Sequence, residues 1–281
     1  MGYIKTILGY EVDDKVVALL RRVDALFPSR TVLIHDIELF QSETNTGEVV
    51  FGPAVCKLNL NDYLGIWIRT DIEAHVFNAF LSHELVHFIQ QYEGYEAVIA
   101  DFYTLDFSYD QRNIINRIKE GFTNFVWDID NDRRLIEMGL PIQGIIDFLR
   151  GIIDNKFESV ILENQEFLRN AQGFLWELLR AQSFYYYVQT WRVFQHLSDD
   201  QETWNEYDRK WESIIHPHQY ERWKEILEII IADLPRDKAM SRNLITKLLN
   251  EMLGDLPLTL NFHQVNPRIA IDLFEPTLIP L

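Results

Sequence analysis

The chain has 281 residues, of which 47% are hydrophobic, with 18 Phe, 12 Tyr and 7 Trp. That is enough apolar mass for one packed domain with a helical extension, and it excludes disorder over most of the length. The 26 basic and 43 acidic residues leave a net charge of −17, which sets aside nucleic acid or an anionic membrane as the main partner.

Cys56 is the one cysteine, so no intrachain disulfide forms, and a reducing, cytoplasmic setting is expected. Glu11, Asp13 and Asp14 cut the apolar start short, so no secretory leader is expected. No window reaches about 18 uninterrupted apolar residues, so no membrane span is expected either.

Apolar residues at Val12, Val16, Leu19, Leu20, Val23 and Phe27 predict a first helix, ended by Pro28-Ser29. Thr31–Leu39 alternates and is β-branched. A turn at Thr46-Gly47 leads to Val49-Val50-Phe51, and Leu64–Arg69 reads as a further strand. Thr70-Asp71-Ile72-Glu73 has the form of a capping box. It opens a helix through Ala74, Phe77, Phe80 and Leu81 that stops at Gly94. From about residue 111 onward the pattern is helical, in segments near 111–139, 141–154, 158–197, 200–214, 218–233 and 238–253.

The expectation is an α+β fold. A small N-terminal antiparallel or mixed sheet packs on one helix, and a mainly α-helical C-terminal half follows. Residues 1–141 form the first domain, 142–254 a helical region packed on it, and 255–281 an extended tail.

The helix entered from the Leu64–Arg69 strand contains His83-Glu84-Leu85-Val86-His87. Residues four apart share a helix face, so His83 and His87 can bind one metal ion from a rigid backbone. Glu84 then sits beside that ion, where it can take a proton from water. A catalytic zinc takes three protein ligands and keeps one position open, so a third ligand is sought downstream. Glu93 follows His87 by six residues. Asp128 and Asp132 are four apart and share a face of a second helix. Asp130 lies about 200° around that helix from Asp128, so the two cannot both face one ion.

The motif His83-Glu84-Leu85-Val86-His87 resembles the zincin metallopeptidases. In the metzincin branch a glycine three residues after the second histidine turns the chain back. Gln90 stands there instead, so the helix continues and Glu93 points away. Asn124, Asp128 and Asp132, followed by Gly139-Leu140-Pro141, loosely resemble a group of bacterial and archaeal metallopeptidase domains. The gluzincin branch takes a carboxylate ligand from a second helix and a hydrogen bond to a ligand histidine from an acid four residues later. That resemblance implies Asp128 as third ligand and Asp132 as the residue that orients a ligand histidine. It covers residues 64–141, about a quarter of the chain.

The expected function is therefore zinc-dependent hydrolysis of peptide bonds in a peptide or protein substrate, with Glu84 as general base and then acid. The Leu64–Arg69 strand, at a sheet edge, would align the substrate. One of Tyr185, Tyr186, Tyr187 or His196 would supply the hydrogen bond to the oxyanion. His75 is read as packing and His216-Pro217-His218 as a turn. The alternative is a non-catalytic zincin-fold protein whose helical half binds a protein partner, the metal being structural or absent.

Overall fold

The computed structural model describes residues 6–40, 53–57, 63–102, 108–157, 174–253 and 258–264. The expected strand at Val49–Phe51, the start of the 158–197 segment and the end of the tail lie outside the described residues. The architecture is α+β, as the sequence predicts: small N-terminal sheets and a mainly helical remainder. Contacts divide the chain into two compact units, Met1–Tyr95 with Arg134–Ile145, and Glu96–Arg133 with Ile146–His263.

The first unit begins with a two-residue hairpin, β1 (Thr6–Ile7) and β2 (Tyr10–Glu11). Helix α1 (Asp14–Leu26) follows, its first turn capped by the Asp13 side chain, which accepts from the Lys15 N–H at 2.8 Å. Val16, Val17, Leu19, Leu20 and Val23 form its buried stripe, at the spacing an amphipathic helix requires.

Strands β3 (Thr31–Asp36), β4 (Ala54–Lys57) and β5 (Tyr63–Ile68) form a mixed three-stranded sheet in the order β3-β5-β4. β3 and β5 run parallel from Thr31↔Tyr63 to Asp36↔Ile68, and β4 and β5 run antiparallel from Ala54↔Ile68 to Lys57↔Gly65. The segment expected to be an edge strand is thus the central one. Leu64, Ile66, Trp67 and Ile68 are fully buried, and β5 is hydrogen-bonded along both sides. A continuous apolar run fits that position better than an edge. Among the described residues, β3 and β4 are the outer strands of this sheet.

Helix α2 (Ala74–Tyr92) packs on α1, β4 and β5. It is apolar nearly all round, as a helix enclosed by other elements must be. Its start departs from the expected capping box. The Thr70 hydroxyl donates to Asp36 instead, the Tyr10 hydroxyl donates to the carbonyls of Thr70 (2.6 Å) and Ile72 (2.8 Å), and Glu73 caps the helix with no side-chain bond. Tertiary partners for Thr70 outcompete the local cap. The end is as predicted: Gly94 takes φ +84°, and the Tyr95 N–H reaches back to the Gln90 carbonyl at 3.1 Å, the closure a left-handed C′ residue makes.

Helix α3 (Tyr109–Glu137) is continuous across the division, its last turn belonging to the first unit. It ends at Gly139 (φ +62°), as the Gly139-Leu140-Pro141 break predicts. Helix α4 (Gln143–Lys156) then crosses α2 with almost no separation. A Cβ on Gly144 would lie 2.5 Å from Val76 Cα and 2.7 Å from the His75 carbonyl oxygen. Backbone atoms cannot move aside as a side-chain tip can. Gly144→Ala is therefore expected to destabilise the protein by about 1–3 kcal/mol through overpacking, read as a lowered midpoint in denaturant unfolding. Wild-type stability in that variant would show that the two helices separate freely.

In the second unit β6 (Glu96–Phe102) pairs with β7 (Leu258–Gln264), so part of the expected tail is a strand. Helices α5 (Phe174–Trp191), α6 (Gln201–Ile214), α7 (Pro217–Ala232) and α8 (Lys238–Leu253) fall within about two residues of the predicted segments where these are described, with a π-helical turn over Arg192–Leu197 after α5. Their core is aromatic. Tyr187, Trp211 and Trp223 are buried together, and Asp208 accepts from the hydroxyls of Tyr187 (3.0 Å) and Tyr220 (2.8 Å). No described helix is long and apolar enough to cross a membrane.

Candidate metal centre

Sequence spacing puts His83 and His87 one turn apart on α2, and packing then turns both rings inward. His83 is buried and His87 half-buried. Their Nε2 atoms lie 2.9 Å apart with the ring planes at 88°. Two imidazoles bound to one zinc at about 2.0–2.1 Å each would have their nitrogens about 3.3 Å apart in a tetrahedron. The pair thus fits a shared ion after a shift of a few tenths of an ångström. His87 Nδ1 lies 2.8 Å from the Gln90 side-chain oxygen. With Nδ1 donating to that oxygen, the lone pair stays on Nε2, the atom that faces His83. Gln90, fully buried, therefore orients the His87 ring, as its i+3 spacing on the helix allows.

Glu84 is buried, 7% exposed, and a carboxylate there needs a polar neighbour. That neighbour is Cys56 of β4. Burial first, then the charge of Glu84 and its acceptance of the thiol hydrogen, push the Cys56 thiol well above its usual range. The cysteine is held as a neutral donor toward the carboxylate. No local pattern announced this contact, because 28 residues separate the two side chains.

Glu93, the metzincin-type candidate, is engaged elsewhere. Its carboxylate receives Arg134 at 3.0 and 2.7 Å. That ion pair joins the end of α2 to the end of α3. His83, His87 and Asp128 each offer one ligand atom, and the three atoms lie within 4.8 Å of one another. Two imidazole nitrogens and one carboxylate oxygen make a donor set suited to a divalent transition metal.

Around Asp128 the second unit builds a charged network. Arg192, 2% exposed, donates Nη1 to Asp128 Oδ2 at 2.7 Å, and Nε and Nη2 to the two oxygens of Asp132 at 2.6 and 2.9 Å. Burial opposes the guanidinium charge, but Asp132 and Asp128 more than offset it and hold the arginine firmly protonated. Asp132 is fully buried, so the acid pair is not a solvated helix face. Asp132 was expected to orient a ligand histidine; the structure gives both its oxygens to Arg192. Asp130 is also fully buried and accepts from Arg133 at 2.5 Å.

The other sequence candidates separate clearly. Tyr187 is committed to Asp208 in the aromatic core. His196 stacks on Trp191 (5.5 Å, 28°) and hydrogen-bonds the Ile129 carbonyl, and burial lowers its pKa, so it is neutral near pH 7. The Tyr185 hydroxyl accepts from Gln189 at 2.9 Å, and burial, then the charge of Asp128, push its pKa up to about 12. It stays a neutral donor. His75 is exposed and near Glu73 (3.3 Å), not packed in the core. His216 and His218 are exposed where Pro217 opens α7.

No protein-family model, curated protein or solved structure matches the chain.

Proposed function

We propose that the protein is a metal-dependent hydrolase of peptide bonds, with zinc held by His83, His87 and Asp128. The observation that carries this reading is the convergence of one nitrogen each of His83 and His87 and one carboxylate oxygen of Asp128 within 4.8 Å, with the buried acid Glu84 on the same helix as the two histidines. Two imidazoles and a carboxylate also suit iron(II); the adjacent Glu84 is what favours hydrolysis.

A zinc ion bound by these groups would bring the pKa of water toward neutrality and polarise the scissile carbonyl. Glu84 takes the proton from the attacking water and returns it to the leaving amine. Gln90 keeps His87 in the tautomer that exposes Nε2. Tyr185, a neutral phenol near Asp128, is the hydroxyl we assign to the developing oxyanion.

The test is metal analysis of the purified full chain together with cleavage of a mixed peptide library. The expected result is one zinc per chain, lost in His83→Ala and in Asp128→Ala, with peptide products that require the metal. A chain that binds no divalent ion overturns the reading. A chain that binds zinc and cuts no peptide supports the non-catalytic alternative.

A further inference from the structure

We propose that the side-chain amine of Lys119, in the second unit, is a nucleophile that forms an imine with small aldehydes. The proposal is independent of the metal reading above. Lys119 precedes Asp128 by nine residues on α3, which places the two about 180° apart around that helix.

Lys119 is buried without the partners that a buried ammonium needs. It is 9% exposed. Ile115, Phe122 and Val126, four, three and seven residues away on the same face of α3, are fully buried. An ammonium has three hydrogens to donate and loses its hydration in such a setting. Its hydrogen bond is long, to the Asn116 side-chain oxygen at 3.4 Å, and the carboxylate of Glu120 stands off at 4.0 Å. The Thr123 hydroxyl, one turn on, donates to the Lys119 carbonyl instead (2.8 Å). The contrast within the same unit is sharp. Arg192 is met by two carboxylates at 2.6–2.9 Å, and Lys210 by Glu206 at 2.6 Å.

That setting favours the uncharged amine. Burial lowers the pKa of Lys119 in spite of the neighbouring charge of Glu120. The neutral amine has the lone pair that attacks a carbonyl, and desolvation is a recognised way to expose it. A route in is also present. The Glu120 side chain keeps 63% of its surface, so the nitrogen lies one long ion-pair distance from a solvated group. The narrow opening selects a small reagent, and the apolar surroundings select an uncharged one. In the reaction the nitrogen bonds the carbonyl carbon, and the carbonyl oxygen leaves with the two amine hydrogens as water. The resulting C=N group is neutral and needs no counter-ion, which an adduct bearing a carboxylate or phosphate would require.

The test treats the folded full chain with acetaldehyde and sodium cyanoborohydride at pH 7, the hydride converting each imine to a stable ethylamine. Peptide mass spectrometry follows the rate at every lysine. Lys224 and Lys238, both exposed, are the references. Lys119 is expected to react about fivefold faster than either, since a larger share of it is uncharged. Its rate should also level off at a lower pH than theirs, a change that accessibility alone would not produce. In guanidinium chloride, where the burial is gone, the three rates should become equal. A rate at Lys119 equal to or below that of the exposed lysines overturns the proposal, as does a pH profile that matches theirs. An advantage that survives unfolding also overturns it, because it would then come from local sequence and not from the fold.

Discussion

Glu84→Gln is expected to remove peptide hydrolysis while leaving the metal content of the purified protein unchanged. Glutamine has the shape of glutamate and keeps an oxygen toward the Cys56 thiol, so α2 and the His83–His87 pair stay in place. What it lacks is a carboxylate that can accept a proton. General acid–base groups contribute about 10²–10⁴-fold to rate, and turnover should fall by at least that range. The fold should be unharmed, because a neutral amide is cheaper to bury than a charge. Metal analysis and the library assay on one preparation check both halves. Full hydrolysis in this variant would remove Glu84 from the mechanism.

Asp132→Ala is expected to be among the most destabilising single changes in the chain. The substitution deletes two hydrogen bonds to Arg192, a guanidinium only 2% exposed. Removing one partner of a buried pair costs about 3–5 kcal/mol, because the other charge stays out of water. Asp128 remains bound to Arg192 through Nη1, which places the expectation near 3 kcal/mol. Denaturant unfolding measures it as a fall in midpoint at constant slope. Adding Arg192→Met should recover much of the loss, since the stranded charge goes with it. A loss below about 0.5 kcal/mol would mean that water reaches Arg192.

These expectations draw on different depths of the sequence. The helix that carries His83, Glu84 and His87 was readable from its own residues, as was its stop at Gly94. So were the breaks at Gly139 and the helices from Gln201 to Leu253. Local spacing and turn chemistry set each of these, and neither needs a distant partner. The start of α2 was misread because Asp36 and Tyr10, far away in sequence, hold Thr70 and the strand end. The strand at Leu64–Arg69 was recognised, but its central position was not, since a buried apolar run does not reveal which strands flank it.

The same division applies to the site. The sequence by itself determined that two imidazoles and one acid lie on one helix at metal-binding spacing, because a helix fixes residues four apart whatever surrounds it. It also brought Asp128 and Asp132 onto one face of a second helix. Only the tertiary structure decided that Cys56 meets Glu84 and that both oxygens of Asp132 serve Arg192. It likewise decided that Glu93 is occupied by Arg134. Each of those contacts joins residues 28 to 60 positions apart. Such pairings are chosen by how whole elements pack and by the need to match every buried charge, and no local pattern encodes that choice.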